Sequence, residues 1–211
     1  MSNTLEILAA ERCSAILRTP HAEAVEPAMR AAVDGGFRVI EFTLNTPGAL
    51  DQIANFSAQE NLLVGAGTVL TIDDAKAARD AGARFLVSPV VDEAVIRWTV
   101  EQGLVCIPGT FTPTEMLTAH QAGAQIVKLF PAPPSGPDWL RACLGPLPFL
   151  RIFPTNGVTQ DNAAQWLQAG AFGVGFVGCL FEGEDMQNGR FESIRERANL
   201  MTQAVKSVTE P

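Results

Sequence analysis

Short apolar runs alternate with longer amphipathic segments along the whole chain. The runs are rich in Val, Ile, Leu and Phe, as in "SAILRT", "FRVIEFT" and "QIVKLF", and most of them end at a polar residue. Near-continuous apolar runs of this length are typical of parallel strands that are covered on both faces. The segments between them have the periodicity of surface helices. The pattern therefore predicts a parallel sheet with a helix after each strand.

One sequence pattern recurs along the chain: the end of a helical segment, then a glycine, then an apolar strand. Gly36, Gly82, Gly103, Gly123 and Gly170 each close a helical segment ahead of an apolar run, as glycines in the left-handed position after a helix do. They lie about 20 residues apart, or about twice that where a unit lacks its glycine. When the missing units are counted, the predicted strands lie at residues 14–18, 37–43, 62–67, 84–88, 104–108, 125–130, 150–154 and 172–177.

Eight strand–helix units in a chain of 211 residues predict the α/β class and a (β/α)8 TIM barrel. We expect a single domain over residues 1–211, with an extra helix at the N-terminus. A doubly wound open sheet is the alternative, although it would need fewer strands or a longer chain. The segment "TPTE" predicts a helix start, with Thr112 as N-cap, Pro113 in the first turn and Glu115 completing a capping box.

Composition and charge exclude several function classes. The net charge is −8, so the basic surface that nucleic acids and anionic membranes require is not expected. No apolar run reaches the ~20 residues of a membrane span, and the charged N-terminus is unlike a signal peptide. The four cysteines form no C-x-x-C pair, which is typical of reduced thiols in a cytoplasmic protein. With no tyrosine and two histidines, neither a histidine triad nor a histidine-rich zinc site is expected.

Polar residues collect at the C-terminal ends of the predicted strands, where (β/α)8 barrels carry their active sites. Helix capping explains many of them, but it does not explain Glu41 and Lys128, which lie within apolar strands. Strand parity places Glu41 on the face of Val39, and Lys128 on the face of Ile126. If both faces point inward, a carboxylate and an amine meet in the barrel mouth. A structural buried ion pair is the alternative, although such pairs seldom add stability.

Burial lowers the pKa of a lysine because it disfavours the cation. A neutral Lys128 amine can attack a ketone and form a Schiff base, while Glu41 moves protons directly or through one water. The turns "PTNGV" and "FVGCLF" follow the seventh and eighth strands, where barrels commonly hold a phosphate on backbone N–H groups. Ordinary βα turns are the alternative at these two places.

The chain carries, in this order, "AILR", "VIEFTLNTP", "GAGTVL", "VSP", "PGTFTPTE", "KLFP" and "FPTNGV". Over essentially its whole length it resembles the KDPG/KHG aldolases, which cleave 2-keto-3-deoxy-6-phosphogluconate, its galactonate counterpart or 4-hydroxy-2-oxoglutarate. The resemblance implies a class I aldolase that uses neither a metal nor a cofactor. It also implies a homotrimer, whose small-molecule partners are a phosphorylated keto-deoxy sugar acid and pyruvate.

The resemblance assigns roles to individual residues of this chain. Lys128 matches the Schiff-base lysine, Glu41 the general acid/base, and Thr68 the contact to the pyruvyl carboxylate. With the residues of the phosphate turns included, the other predicted substrate-binding positions are Arg18, Asn45, Pro89, Phe130, Thr155, Asn156, Gly157, Gly178 and Cys179.

Three of these positions depart from the common family pattern and leave the substrate open. These positions are Asn45, Asn156 and Cys179. Asn45 is the residue that the phosphogalactonate enzymes carry, whereas Thr155, which is not a departure, is the residue of the phosphogluconate enzymes. Asn156 stands where the family has a glycine, and Cys179 stands where a serine often helps to hold the phosphate. Two other functions also stay open, namely a phosphosugar epimerase or isomerase that uses Glu41 as its base, and a non-catalytic phosphosugar-binding barrel.

Overall fold

The computed structural model describes residues 2–208, so the predicted domain ends at Met1 and at residues 209–211 lie outside the described part of the chain. The eight strands overlap the ranges that the repeat predicted, although six are shorter than predicted and the last three contain only three residues each. They are Cys13–Leu17 (β1), Val39–Thr43 (β2), Leu63–Gly67 (β3), Phe85–Ser88 (β4), Val105–Thr110 (β5), Val127–Leu129 (β6), Ile152–Pro154 (β7) and Val174–Phe176 (β8).

All eight strands belong to one parallel sheet with the order β7-β6-β5-β4-β3-β2-β1-β8. An isolated parallel bridge between Thr155 and Gly175 joins the two ends of this series. The sheet is therefore a nearly closed barrel, and the (β/α)8 prediction is confirmed. The alternative of an open doubly wound sheet is wrong, because β7 meets β8 instead of leaving a free edge.

Helices separate the strands throughout residues 2–208. They are Ser2–Glu11 (α1), Val25–Asp34 (α2), Ala49–Ser57 (α3), Ile72–Asp80 (α4), Glu93–Glu101 (α5), Pro113–Gln121 (α6), Pro137–Leu144 (α7), Ala163–Gln168 (α8), Gly183–Gln187 (α9) and Phe191–Lys206 (α10). Helix α1 precedes β1, as the N-terminal segment predicted. Helix α6 begins with the predicted capping box of Thr112 and Glu115. Within residues 2–208, no helix combines the length and the apolar character that a membrane span needs.

Side chains on opposite faces of the strands build two separate apolar layers, because successive residues of a strand point to opposite sides. In β6 the outward residues Val127 and Leu129 pack in the layer between the sheet and the helices. Ile126, just before β6, packs in the layer inside the barrel. This confirms the predicted parity and turns the side chain of Lys128, two residues after Ile126, toward the barrel interior.

Helix α1 closes the N-terminal end of the barrel. Its residue Leu8 is buried and packs in the inner layer with Val39, Leu63, Val105 and Ile126, which begin or directly precede their strands. The polar residues at the C-terminal ends of the strands therefore surround the opposite end, which is the mouth.

Candidate active site

Lys128 lies in the middle of β6 with its side chain inside the barrel, where only 6% of the residue is exposed. Its Nζ lies 5.0 Å from the ring centroid of Phe130. The hydroxyl of Thr110 donates to the Lys128 carbonyl over 2.9 Å and fixes the backbone. Burial lowers the pKa of the Lys128 amine, and the charge of Glu41 acts in the opposite direction. A lysine amine with a lowered pKa is the form that enzymes use as a nucleophile.

Glu41 enters the same interior from β2 and is 2% exposed. Burial raises the pKa of its carboxyl group, and the positive charges of Lys128 and Arg18 offset part of that rise. Its Oε1 has no hydrogen-bond partner among the described residues, and no salt bridge joins it to Lys128 within residues 2–208. The geometry is thus not the structural ion pair that was the alternative prediction.

Lys128 and Glu41 line one small cavity inside the barrel, together with the hydroxyl residues Ser14 and Thr155. Its volume of about 10 Å³ is close to the space that one water molecule occupies. Thr155 is 1% exposed, and its Oγ1 has no hydrogen-bond partner among the described residues. Two buried oxygen atoms that face an amine without partners leave hydrogen-bonding capacity for a ligand.

Gly67 in β3 makes the position of Glu41 possible. A Cβ atom at Gly67 would overlap Oε1 of Glu41, and a Cβ atom at Gly65 would overlap the ring of Phe85. Both glycines lie in the strand that pairs directly with β2. The carboxylate of Glu41 therefore lies against bare backbone, and the glycines of "GAGT" make room for it and for the ring of Phe85.

Arg18 and Thr68 meet at the mouth, where Thr68 was predicted to contact the pyruvyl carboxylate and Arg18 to bind the substrate. Nη2 of Arg18 lies 3.5 Å from Oγ1 of Thr68. Thr68 follows β3 and has a φ of 59°, a left-handed conformation that β-branched residues rarely adopt. Backbone strain of this kind concentrates at functional sites. The charge of Arg18 also affects the pKa values of both Lys128 and Glu41, which places the guanidinium next to the pair.

The turns after β1 and β2 are held together by hydroxyl groups. The hydroxyl groups of Thr43 and Thr46 lie 3.0 Å apart, and Thr43 donates to the carbonyl of Leu17 over 3.3 Å. These bonds fix the turns that carry Arg18 and Asn45. Asn45 lies at the mouth with an exposed side chain, so the structure brings it to the rim and not to the Lys128 cavity.

The two predicted pocket-wall residues lie next to the strands around Lys128, Pro89 against β5 and Phe130 directly after β6. Pro89 follows β4 and approaches β5 so closely that a Cβ atom at Gly109 would overlap its backbone. Gly109 is paired in register with Lys128. The ring of Phe130 lies over the amine, with its centroid 5.0 Å from Nζ.

The turns after β7 and β8 form an exposed surface at the mouth. Asn156 and Gly157 have left-handed backbone conformations with φ values of 54° and 137°. The thiol of Cys179 donates to the carbonyl of Val158 over 3.2 Å and links the two turns. Among the described residues, the backbone N–H groups of Gly178 and Cys179 donate to no backbone carbonyl group, and the N–H of Cys179 acts on its own thiol. Burial raises the pKa of the Cys179 thiol, whereas nearby backbone N–H groups lower it. These N–H groups therefore create positive potential at the turn.

The sequence model of the family described as "KDPG and KHG aldolase" matches residues 5–196, a range that contains every site residue above. The chain belongs to the KDPG and KHG aldolase family. This confirms the family that the motifs predicted.

Related aldolases carry both of the predicted substrate names. The 2-dehydro-3-deoxy-6-phosphogalactonate aldolase of Escherichia coli (strain K12) is 37% identical over 154 residues, or 72% of this chain and 75% of that protein. The 2-dehydro-3-deoxy-phosphogluconate aldolase of Treponema pallidum (strain Nichols) is 34% identical over 169 residues, or 79% of this chain and 80% of that protein. The crystal structure of the Legionella pneumophila KDPG aldolase, with pyruvate captured as a covalent carbinolamine, is 26% identical. It matches with a TM-score of 0.81 over 98% of each chain.

Several positions that support this aldolase site carry no direct signal in the sequence. Thr46 and Thr110 look like ordinary polar residues at strand ends, because their carbonyl partners, Leu17 and Lys128, lie in other strands. Gly67 does give a signal, since glycine inside a strand often marks a close approach of another group. Within residues 2–208, no cluster of three His, Cys, Asp or Glu side chains has the arrangement of a metal site.

Proposed function

We propose that this aldolase cleaves a phosphorylated 2-keto-3-deoxy sugar acid into pyruvate and glyceraldehyde 3-phosphate through a Schiff base on Lys128. One observation carries the proposal: a buried lysine of lowered pKa shares a cavity with a buried carboxylate whose Oε1 has no partner among the described residues. The carbinolamine captured in the Legionella relative is the first intermediate that such a lysine would form with pyruvate.

The reaction begins at the C2 ketone of the substrate. The neutral amine of Lys128 adds to the carbonyl carbon, and the carbinolamine then loses water to give a protonated imine. Glu41 assists this dehydration, because burial raises the pKa of its carboxyl group and a carboxyl group with a raised pKa can both donate and accept a proton. Arg18 and Thr68 bind the carboxylate next to this carbon and orient it toward the amine.

Cleavage uses the positive charge of the imine. Glu41 accepts the proton of the C4 hydroxyl group, the C3–C4 bond breaks, and its electron pair moves through C3 to the imine nitrogen. Glyceraldehyde 3-phosphate leaves, and an enamine stays on Lys128. Glu41 then returns a proton to C3, and water hydrolyses the resulting imine to pyruvate and the free amine.

The remote phosphate binds at the exposed turns after β7 and β8. Backbone N–H groups of Gly178 and Cys179 and the turn of Asn156 and Gly157 hold it, while Thr155 contacts the part of the substrate nearer to Lys128. Binding energy from a remote group can orient the reacting carbons and so raise turnover as well as affinity. Phosphorylated substrates should therefore be cleaved far faster than 4-hydroxy-2-oxoglutarate, and similar kcat/KM values for both would contradict the phosphate site.

Borohydride reduction in the presence of pyruvate tests the covalent step. Mass spectrometry should show one reduced pyruvyl group on the peptide that contains Lys128, and Lys128→Met should remove both the adduct and the activity. A phosphosugar epimerase or isomerase on this site would work without an adduct. Active enzyme without an adduct at Lys128 would therefore overturn the proposal.

The configuration at C4 distinguishes the two sugar acids, and relatives of both names resemble this chain. Because Asn45 and Thr155 point to different substrates, we propose activity on at least one of the gluconate and galactonate forms. The ratio of the kcat/KM values for the two purified epimers decides between them.

We also propose that the enzyme works as a cytoplasmic homotrimer, which is what the family resemblance implies. Light scattering coupled to size exclusion should give three times the mass of the 22.5 kDa chain. A monomeric mass together with full activity would contradict the trimer.

A further inference from the structure

Arg197 of α10 reaches back to the turn that follows β8. Its Nε and Nη2 atoms donate to the carbonyl of Leu180 over 3.2 and 2.9 Å. Its Nη1 atom lies 2.6 Å from Oδ2 of Asp185. Both sides of the guanidinium are thus occupied, so this arginine acts on the turn through a carbonyl group.

Asp185 is the partner that fixes Arg197. Its side chain is only 6% exposed, and its Oδ1 accepts a hydrogen bond from Nε of Arg190 over 2.6 Å. Burial removes the Asp185 carboxylate from water, and the two arginines compensate for the lost hydration. Removing one of these arginines would leave a buried charge without its partner and lower the free energy of unfolding. The network is therefore a fixed support and not a loose surface ion pair.

The turn itself contains the exposed donors of the proposed phosphate site. The N–H groups of Leu180 and Phe181 both donate to the carbonyl of Val177, which shapes the turn around Gly178 and Cys179. Leu180 and Phe181 are buried and anchor its far end. Because no lysine or arginine adjoins Gly178 in sequence, phosphate binding there depends on the directions of the backbone N–H groups.

We propose that Arg197 is a positioning residue for phosphate recognition, which rests on the proposed function of this turn. By holding the Leu180 carbonyl, it fixes the turn of residues 177–180 so that the Gly178 and Cys179 N–H groups point at the phosphate. Asp185 holds the guanidinium in place. Neither residue touches the reacting carbons, so both act on the phosphorylated end of the substrate alone.

Arg197→Met tests the proposal, because it keeps an apolar chain of similar length and removes the forked hydrogen bond. The kcat/KM for the phosphorylated sugar acid should fall by about 10- to 100-fold, as for other small misplacements of binding groups. The kcat/KM for 4-hydroxy-2-oxoglutarate and the rate of borohydride trapping with pyruvate should stay within about twofold. Arg197→Lys should show the same loss, since one ammonium group cannot form the fork.

Arg195→Met is the matched control. Arg195 lies on the same helix and forms an exposed ion pair with Glu192, without contact to the turn, so both substrates should keep their kcat/KM values. If Arg197→Met does not fold, the kcat/KM values for the two substrates are compared in Arg197→Lys and Asp185→Asn instead.

Three results would overturn the proposal. Equal losses on both substrates would show a general structural role, and an unchanged preference for the phosphorylated substrate would show no role. If the unaltered enzyme lacks that preference, the proposed phosphate site is itself wrong and the role of Arg197 falls with it. The first two results leave the proposed aldolase function intact.

Discussion

At the scale of single residues, the site depends on Gly67, which has no side chain. A Cβ atom at Gly67 would overlap Oε1 of Glu41, so this carboxylate and the strand beside it fit only as a pair. The sequence showed that Glu41 and Lys128 were unusual, because charges inside apolar strands are visible in a single chain. It did not show that Gly67 determines how deep the carboxylate can lie, since that depends on a neighbouring strand.

Gly67→Ala should displace Glu41 and reduce kcat by up to about 10²–10⁴, the range expected when a general acid/base is lost. Glu41→Gln provides the benchmark, since it removes the proton transfer and keeps the shape. Overpacking should also lower the free energy of unfolding by about 1–3 kcal/mol. Steady-state kinetics and urea denaturation measure the two effects. Gly183→Ala is the control, because a Cβ atom there meets open space. A fully active Gly67→Ala enzyme would contradict this account of the site.

The buried amine of Lys128 should make stability depend on pH. Its pKa lies below the ordinary value of 10.5, so between these two values the unfolded chain binds a proton that the folded chain does not. Stability in that interval therefore rises with pH. Lys128→Met removes this dependence. The free energy of unfolding of the variant should therefore exceed that of the protein with Lys128 most at low pH, and the difference should shrink toward pH 10.5.

Urea titrations at several pH values measure this difference in the free energy of unfolding. The comparison is made in the Glu41→Gln background, so that the carboxyl group of Glu41 does not contribute its own titration. A difference that stays constant with pH would show that Lys128 is protonated in the folded protein.

At the scale of elements, the strands and the barrel were predictable, but the residues that close the barrel were not. Each strand is marked in the sequence by an apolar run, and five of the eight also follow a glycine that ends a helix. The bridge between Thr155 and Gly175 joins two segments about 20 residues apart, and no local pattern marks it. The shortness of β6, β7 and β8 was likewise missed, because their apolar runs continue beyond the residues that pair.

Helix α1 should contribute to catalysis as well as to stability, because Leu8 lines the cavity of Lys128. Leu8→Ala should cost about 2–5 kcal/mol of stability and should admit water beneath the amine. Since burial is the main cause of the lowered pKa of Lys128, that pKa should rise. The pH at half-maximal borohydride trapping should then move upward. Leu200→Ala, at an exposed position, is the control and should leave the pH of half-maximal trapping unchanged. The same unchanged pH in Leu8→Ala would show that α1 does not affect the pKa of Lys128.

At the scale of the whole molecule, the family and the fold followed from the sequence more readily than the substrate did. The order of strands and motifs extends along the chain, so many residues support it together. The choice between the two sugar acids depends on Asn45 and Thr155, which lie at different depths: Asn45 at the exposed rim and Thr155 in the buried cavity. Arg197 was missed for a similar reason, because its target is the carbonyl of Leu180, 17 positions away.

Closure of the N-terminal end of the barrel by Leu8 also determines the order in which the two products leave. With the N-terminal end closed, substrate and products must pass through the mouth, and in the proposed complex the phosphorylated half lies nearer to the mouth than the carbon attached to Lys128. The aldehyde must therefore depart first, and pyruvate last. Pyruvate should then inhibit competitively against the sugar acid, whereas glyceraldehyde 3-phosphate should inhibit non-competitively. The reverse pattern in initial-rate measurements would require a second exit through the floor of the barrel.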